Sequence, residues 1–141
     1  MTPPPDQCEW FHLRLRVRYA ETDAQGVVHH ANYLVYMEQA RTEFTRARGL
    51  PYRELEAQGV NLLVAEASLR FRAAAVFDDP LLVRLRITRV RSRTLTFGYR
   101  IEHEETGRLL VTGETTHVFV DGAMRPISAP AFVLDALLGR Q

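Results

Sequence analysis

Five stretches of the sequence alternate apolar and polar residues with a period of two, and only one stretch of any length repeats at helical spacing. The first alternating run sets Phe11, Leu13, Leu15, Val17 and Tyr19 against His12, Arg14, Arg16 and Arg18, as a half-buried antiparallel strand does. From Asn32 the pattern changes. Tyr33, Tyr36, Met37, Ala40, Phe44 and Ala47 then fall on one side of a helix of about seventeen residues, which Gly49 and Pro51 stop. Pro51 to Gln58 reads as a short second helix closed by Gly59, and Leu63, Ala65, Ala67, Leu69 and Phe71 as the inward face of a second strand. After the turn at Asp78-Asp79-Pro80, three more alternating runs form a meander: Leu81 to Arg91, Thr94 to His103 and Leu109 to Val120. Pro126 to Leu138 is a tail with room for a helical turn. A sheet with one apolar face must bury it, and the only element long and apolar enough is the helix over 32–48. The expected class is α+β, a five-stranded antiparallel sheet wrapped around one long helix.

A length of 141 residues suits one domain over 1–141, with the polar, proline-rich residues 1–9 expected to be flexible. With 46% hydrophobic residues, 25% charged residues and a formal charge of +1, the composition is that of an ordinary globular chain. Seventeen acidic residues nearly balance the arginines, so Arg14, Arg16, Arg18, Arg84 and Arg86 read as a solvated outer sheet face, and nucleic acid is not an expected partner. No run reaches the roughly 20 apolar residues that span a bilayer, so no membrane insertion is expected. The single Cys8 has no partner for an intrachain disulfide and Met1 to Pro5 do not resemble a signal peptide, which makes the cytoplasm the expected location.

The residue inventory excludes several chemistries. All eighteen basic residues are arginine, which removes Schiff-base catalysis and the P-loop lysine. The only serines, Ser68, Ser92 and Ser128, do not stand in a Gly-x-Ser-x-Gly elbow. His29 and His30 suggest a metal, but neighbouring side chains are expected to point apart and no third ligand follows at a characteristic spacing, so no metal site is expected.

What remains is the junction between the first strand and the helix, Tyr19 to Tyr33, a place where loops commonly carry function. Asp23 has two readings there. As an unpartnered carboxylate it is a base or nucleophile next to a helix N-terminus, whose free N–H groups and roughly half a positive charge favour an oxyanion. As a turn residue it makes an Asx turn, with Gly26 at positive φ and the histidines and Asn32 capping the helix. Spacing alone leaves both open.

Within this stretch Tyr19, Glu21, Thr22, Asp23, Gly26, Val27, Val28, His30, Ala31 and Tyr33 follow the signature of the 4-hydroxybenzoyl-CoA thioesterase family, and Tyr36 to Glu43 continue as its helix does. The chain resembles that family, and within it the YbgC-like acyl-CoA thioesterases associated with the Tol–Pal system, over roughly residues 12 to 125, through Pro80-Leu81 and the Arg91 to Leu95 hairpin. The resemblance implies a hot-dog fold that pairs into homodimers and often homotetramers. It also implies hydrolysis of an acyl-CoA, with no cofactor because coenzyme A is part of the substrate. Asp23 takes the position of nucleophile or general base. The backbone N–H of His30 takes that of the donor to the thioester carbonyl, and the motif implicates the His30 side chain too. Gly26, Val27, Val28, His29, Asn32 and Tyr33 fall where the substrate passes, and Arg91 and Arg93 where a basic segment contacts the nucleotide phosphates, a role that a merely solvated hairpin would also mimic. His29 departs from the aromatic residue usual at its position, which bears on acyl preference.

Three functions fit this frame. A thioesterase needs only a positioned attacker and an oxyanion donor, because a thioester is already activated. A hot-dog hydratase also sets an Asp and a His a few residues apart, as Asp23 and His29 are, but has Asn-Pro between them where this chain has Gln25-Gly26-Val27-Val28. A binding module without chemistry is the third. Glu38 and Glu43 lie on the helix, where another hot-dog group keeps its catalytic carboxylate, but Glu38 with Arg41 or Thr42 reads as a structural pair at helical spacing.

Overall fold

The computed structural model describes residues 9–140, so Cys8 and, apart from Glu9, the stretch expected to be flexible lie outside the described residues. In chain order the elements are β1 (Phe11–Arg16), α1 (Asn32–Ala47), α2 (Tyr52–Ala57), β2 (Asn61–Phe71), β3 (Pro80–Val90), β4 (Thr94–His103), β5 (Leu109–Val120) and α3 (Ala131–Leu137). The strands form one antiparallel sheet in the order β1-β3-β4-β5-β2, with α1 lying against β1 and β3. This is the expected architecture.

The helix is held by its stripe. Tyr33, Tyr36, Met37, Ala40 and Phe44 are buried against the inward residues of the sheet, among them Val83, Leu85, Phe97, Ile101 and Phe119. Each large apolar side chain taken out of water in this way contributes about 1.5–3 kcal/mol. Phe44 meets both Phe11 and Phe97 edge-on, at 5.5 and 5.9 Å between centroids, tying the helix to β1 and β4 together. Gly113 on β5 lets the helix come this close, because a Cβ there would stand 3.0 Å from Met37 Cε and 2.9 Å from the Ser68 carbonyl oxygen.

Two expectations shift. The first alternating run leaves the sheet after Arg16, and Tyr19–Glu21 wind into a short 3-10 turn in place of strand. In β2 the ladder to β5 is interrupted between Val64 and Glu66, so Ala65 is a bulge. An extra residue reverses the side-chain parity before it. Leu62 and Val64, opposite Phe119 and His117, therefore take the inward face that Leu63 and Ala65 were expected to take, while Ala67, Leu69 and Phe71 keep theirs. The outer face is as charged as expected, and its arginines are paired: Arg14 with Glu104, Arg16 with Asp78 and Arg84 with Glu102, while Arg86 lies 4.2 Å from the Trp10 ring centroid. Among the described residues no helix is long and apolar enough to cross a membrane.

Candidate active site

The segment joining β1 to α1 folds back on itself as a small hairpin. His29 N–H donates to the Glu21 carbonyl at 2.9 Å, Thr22 bridges Val28, and Asp23 N–H donates to the Val27 carbonyl at 2.9 Å. The turn closes where Gly26 N–H reaches the Asp23 carbonyl at 3.0 Å, with Gly26 at φ 81°. That left-handed conformation costs glycine little and other residues about a kilocalorie or more. Asp23 Oδ1 accepts the Gln25 N–H at 2.9 Å, an Asx turn. Its Oδ2 has no partner among the described residues. One oxygen thus shapes the turn and the other is left over.

The start of α1 sits on the same hairpin. Asn32 N–H reaches back to the His29 carbonyl at 2.9 Å and Tyr33 N–H to that of His30 at 3.4 Å, so the helical winding begins before Asn32. His29 Nδ1 accepts the Ala31 N–H at 3.2 Å, just ahead of the helix, which has no side-chain cap of its own. Asn32, expected to cap, instead donates its amide to the Glu21 carbonyl at 2.8 Å. The His30 N–H has no acceptor among the described residues. It is one of the orphan donors that every helix N-terminus presents, reinforced by the helix dipole.

The two histidine rings do not point apart as expected. They stack at 4.2 Å between centroids and 27° between planes, with His29 turned back toward the Ala31 N–H. The described residues contain no group of three His, Cys, Asp or Glu side chains able to hold a metal ion. His30 also meets the ring of Phe71 at the end of β2, edge-on at 6.4 Å.

The hairpin is fastened from below by a residue that the sequence reading took only as part of a signature. Glu21 is 8% exposed and accepts from the Arg18 N–H at 2.8 Å, Arg18 Nε at 2.9 Å and the Tyr36 hydroxyl at 2.9 Å. Burial pushes its carboxyl up, but the hydrogen bonds from Arg18 and Tyr36 and the Arg18 charge outweigh this and hold it below the usual range. The Tyr36 phenol moves the other way, raised by burial and by its bond to the Glu21 carboxylate. Val28 is buried and donates to the Ala75 carbonyl at 2.9 Å, while Tyr33 accepts the Ala75 N–H at 3.2 Å. Val28 and Tyr33 therefore anchor the loop, leaving Gly26, Val27 and His29 on its accessible side.

Arg91 and Arg93 are not beside Asp23 in one chain. They are exposed in the β3–β4 turn, whereas the hairpin lies by Pro80 at the other end of the 11-residue β3, about 33 Å away along the strand. Glu38 forms no ion pair with Arg41. Thr42 Oγ1 bonds the Glu38 carbonyl at 3.0 Å, Glu43 pairs with Arg46, and Arg41 turns inward to the Tyr99 hydroxyl at 3.1 Å. Arg41 starts a buried polar chain, in which Tyr99 Oη lies 2.5 Å from Thr115 Oγ1, which lies 2.8 Å from His117 Nε2. The signal for this chain was available, since Thr115 and His117 share the inward parity of Val111 and Phe119.

The sequence profile of the thioesterase-like superfamily matches residues 17–137, from the hairpin to α3. The chain belongs to that superfamily. The acyl-CoA thioester hydrolase YbgC of Escherichia coli is 36% identical over 125 residues, covering 88% of this chain and 92% of the relative. Among solved structures, a hypothetical protein from Thermus thermophilus superposes with a TM-score of 0.85 at 44% identity, over 92% of this chain and 98% of that one. A 1,4-dihydroxy-2-naphthoyl-CoA thioesterase from Synechocystis superposes with a TM-score of 0.85 at 26% identity, over 92% and 96%. The sheet-and-helix architecture of this thioesterase is thus the hot-dog fold, and its enzyme class is thioester hydrolase.

Proposed function

We propose that this thioesterase hydrolyses acyl-CoA to the free acid and coenzyme A, with Asp23 as nucleophile or general base and the His30 N–H as oxyanion donor. The observation that supports this most is the pair of unused groups on one hairpin: Asp23 Oδ2 and the His30 N–H. The thioester carbonyl oxygen accepts from the His30 N–H, which draws charge from the carbonyl carbon. Asp23 then either adds Oδ2 to that carbon or takes a proton from a water that adds to it. In both routes the carbonyl becomes an oxyanion held by the helix end. Its collapse breaks the C–S bond, and the thiolate leaves and takes up a proton. In the nucleophilic route water then splits the mixed anhydride and restores the carboxylate. No cofactor has a step in either route.

Purified protein should release free thiol and acid in equal amounts from acyl-CoA substrates, and an enoyl-CoA should release thiol and leave the enoic acid with its double bond intact. Loss of enoyl absorbance with coenzyme A still attached would make the protein a hydratase. Absence of both reactions across an aliphatic and aromatic panel would leave a binding module. The expected setting is the cytoplasm, where a thiol such as Cys8 stays reduced.

The reading includes a homodimer or homotetramer. One helix is about 10 Å wide, while strands spaced about 4.8 Å apart make five of them span roughly 20 Å or more. α1 lies over β1 and β3, and on the inner face of the edge strand β2 Val64 and Phe71 are each 52% exposed. An antiparallel pairing of β2 with the β2 of a second copy would cover that face and satisfy the open edge. It would also carry the β3–β4 turn of one copy to the hairpin end of the other, where its arginines could meet the nucleotide. Light scattering at micromolar concentration should report two or four chains, and a monomer would contradict the pairing.

A further inference from the structure

Between Thr22 and His30 only Val28 is buried, so little apolar packing holds the hairpin that carries Asp23 and the His30 N–H. Its position rests on directional bonds, and Glu21 is where its two arms and α1 meet. The Glu21 carbonyl accepts the His29 N–H at 2.9 Å and the Asn32 side-chain amide at 2.8 Å, which ties the first arm to the second and to the start of α1. The carboxylate reaches one turn further along the helix, where Oε1 accepts from the Tyr36 hydroxyl at 2.9 Å. Arg18 holds the same carboxylate from the β1 side through its backbone N–H and Nε. Asp23 stands two residues beyond Glu21 on the first arm, and His30 directly follows His29 on the second.

Stability alone does not call for a carboxylate here. Glu21 and Tyr36 are both buried, and the desolvation of a buried charge largely cancels what its pairing gains, so an apolar side chain of similar size would hold the loop as firmly. What the carboxylate adds is direction. Its two oxygens accept three hydrogen bonds from two sides, which fixes the hairpin against α1 where apolar contact would let it slide. Direction matters at this place because a thioester must meet an attacking oxygen on one arm and a donor N–H on the other at the same moment. A misplacement of about 1 Å between such groups costs on the order of a hundredfold in rate.

We propose that Glu21 and Tyr36 are positioning residues for thioester hydrolysis, whose hydrogen bond sets the distance between Asp23 and the His30 N–H without either side chain touching the substrate. The assignment rests on the reading of those two groups as attacker and oxyanion donor, and adds to it the pair that holds them in register.

The test compares full-length variants on an acyl-CoA that the wild type turns over, well below the melting temperature of each. Tyr36→Phe removes one hydroxyl and keeps the ring that meets Tyr33 edge-on at 5.9 Å, so the core stays filled. It is expected to lower kcat about tenfold with KM within about twofold, and Glu21→Ala to lower kcat at least as much. Glu21→Gln should stay within about threefold of wild type, because its amide oxygen still accepts from Tyr36, and the Arg18 side chain, 75% exposed, can turn its Nε to water. In an Asp23→Asn background Tyr36→Phe should cost less than about threefold more, since a misplaced carboxylate no longer matters once the carboxylate is gone, whereas a general loss of structure would multiply. A readout that needs no substrate is the amide exchange of Asp23 and His29, which should quicken about tenfold in Tyr36→Phe while β3 and β4 keep their protection. An unchanged kcat in Tyr36→Phe overturns the assignment even if exchange quickens, as does a loss that persists in full in the Asp23→Asn background. A loss in Glu21→Gln as large as that in Tyr36→Phe overturns it too, because charge rather than position would then be at work. Failure of the underlying reading looks different: Asp23→Asn alone would keep turnover within a few fold of wild type, whatever Tyr36→Phe does.

Discussion

Asp23→Asn is expected to lower kcat by at least about a hundredfold while leaving the melting temperature and acyl-CoA binding close to wild type. The separation follows from the division of labour between the two carboxylate oxygens. Oδ1 accepts the Gln25 N–H, and an asparagine carbonyl oxygen accepts it equally well, so the turn is preserved. Oδ2 has no structural partner among the described residues, and the substitution replaces it with an uncharged amide that neither attacks a thioester nor takes a proton. Steady-state kinetics with thiol detection, alongside thermal melting, checks both halves. Turnover within a few fold of wild type would reduce Asp23 to its turn-forming role.

The second large effect is expected from removing a backbone atom. His30→Pro deletes the orphan N–H in the turn just before α1, where no hydrogen bond among the described residues is lost with it. Loss of one oxyanion donor typically costs a factor of about 10²–10³ in kcat, or roughly 2.7–4 kcal/mol. His30→Ala keeps the N–H and removes the imidazole, including its stack on His29 and its contact with Phe71. It should lose less than about tenfold if the amide is the working group. Equal losses in the two variants would move the role from the amide to the side chain, which the motif also implicates.

Much of this fold was readable because its elements differ in period. Alternation located β4 and β5 to the residue, and the helical stripe through Tyr33, Met37, Ala40 and Phe44 located α1, since both patterns are imposed by which face is buried. The bulge at Ala65 was not readable. One extra residue among Ala65, Ala67 and Ser68 leaves no mark in composition, yet it exchanges the inward residues of half of β2. The first strand was read too long for a related reason: Val17 stays buried after the ladder ends, so hydrophobicity continues where pairing does not.

At the site, the turn chemistry around Asp23 and Gly26 was legible as local rules, and the resemblance supplied the role of the His30 N–H. The pairing of Glu21 with Tyr36 and Arg18 was not, because a carboxylate in a polar loop shows no sign of being buried until the helix is docked on it. Of the two helical partners read for Glu38, Thr42 bonds its carbonyl and Arg41 does not pair with it, because spacing places side chains within reach without saying which will be drawn inward. The inward partners Tyr99 and Thr115 lie far along the sequence, and only the sheet brings them to the helix.

The most direct measurement is a structure of the protein with a ketone analogue of acyl-CoA, in which a methylene replaces the sulfur so that the carbonyl cannot be hydrolysed. The account predicts the ketone oxygen about 2.7–3.1 Å from the His30 nitrogen and the carbonyl carbon about 3–3.5 Å from an oxygen of Asp23, directly or across one ordered water. A carbonyl bound elsewhere, with the His30 N–H and Asp23 Oδ2 both left facing solvent, would contradict it.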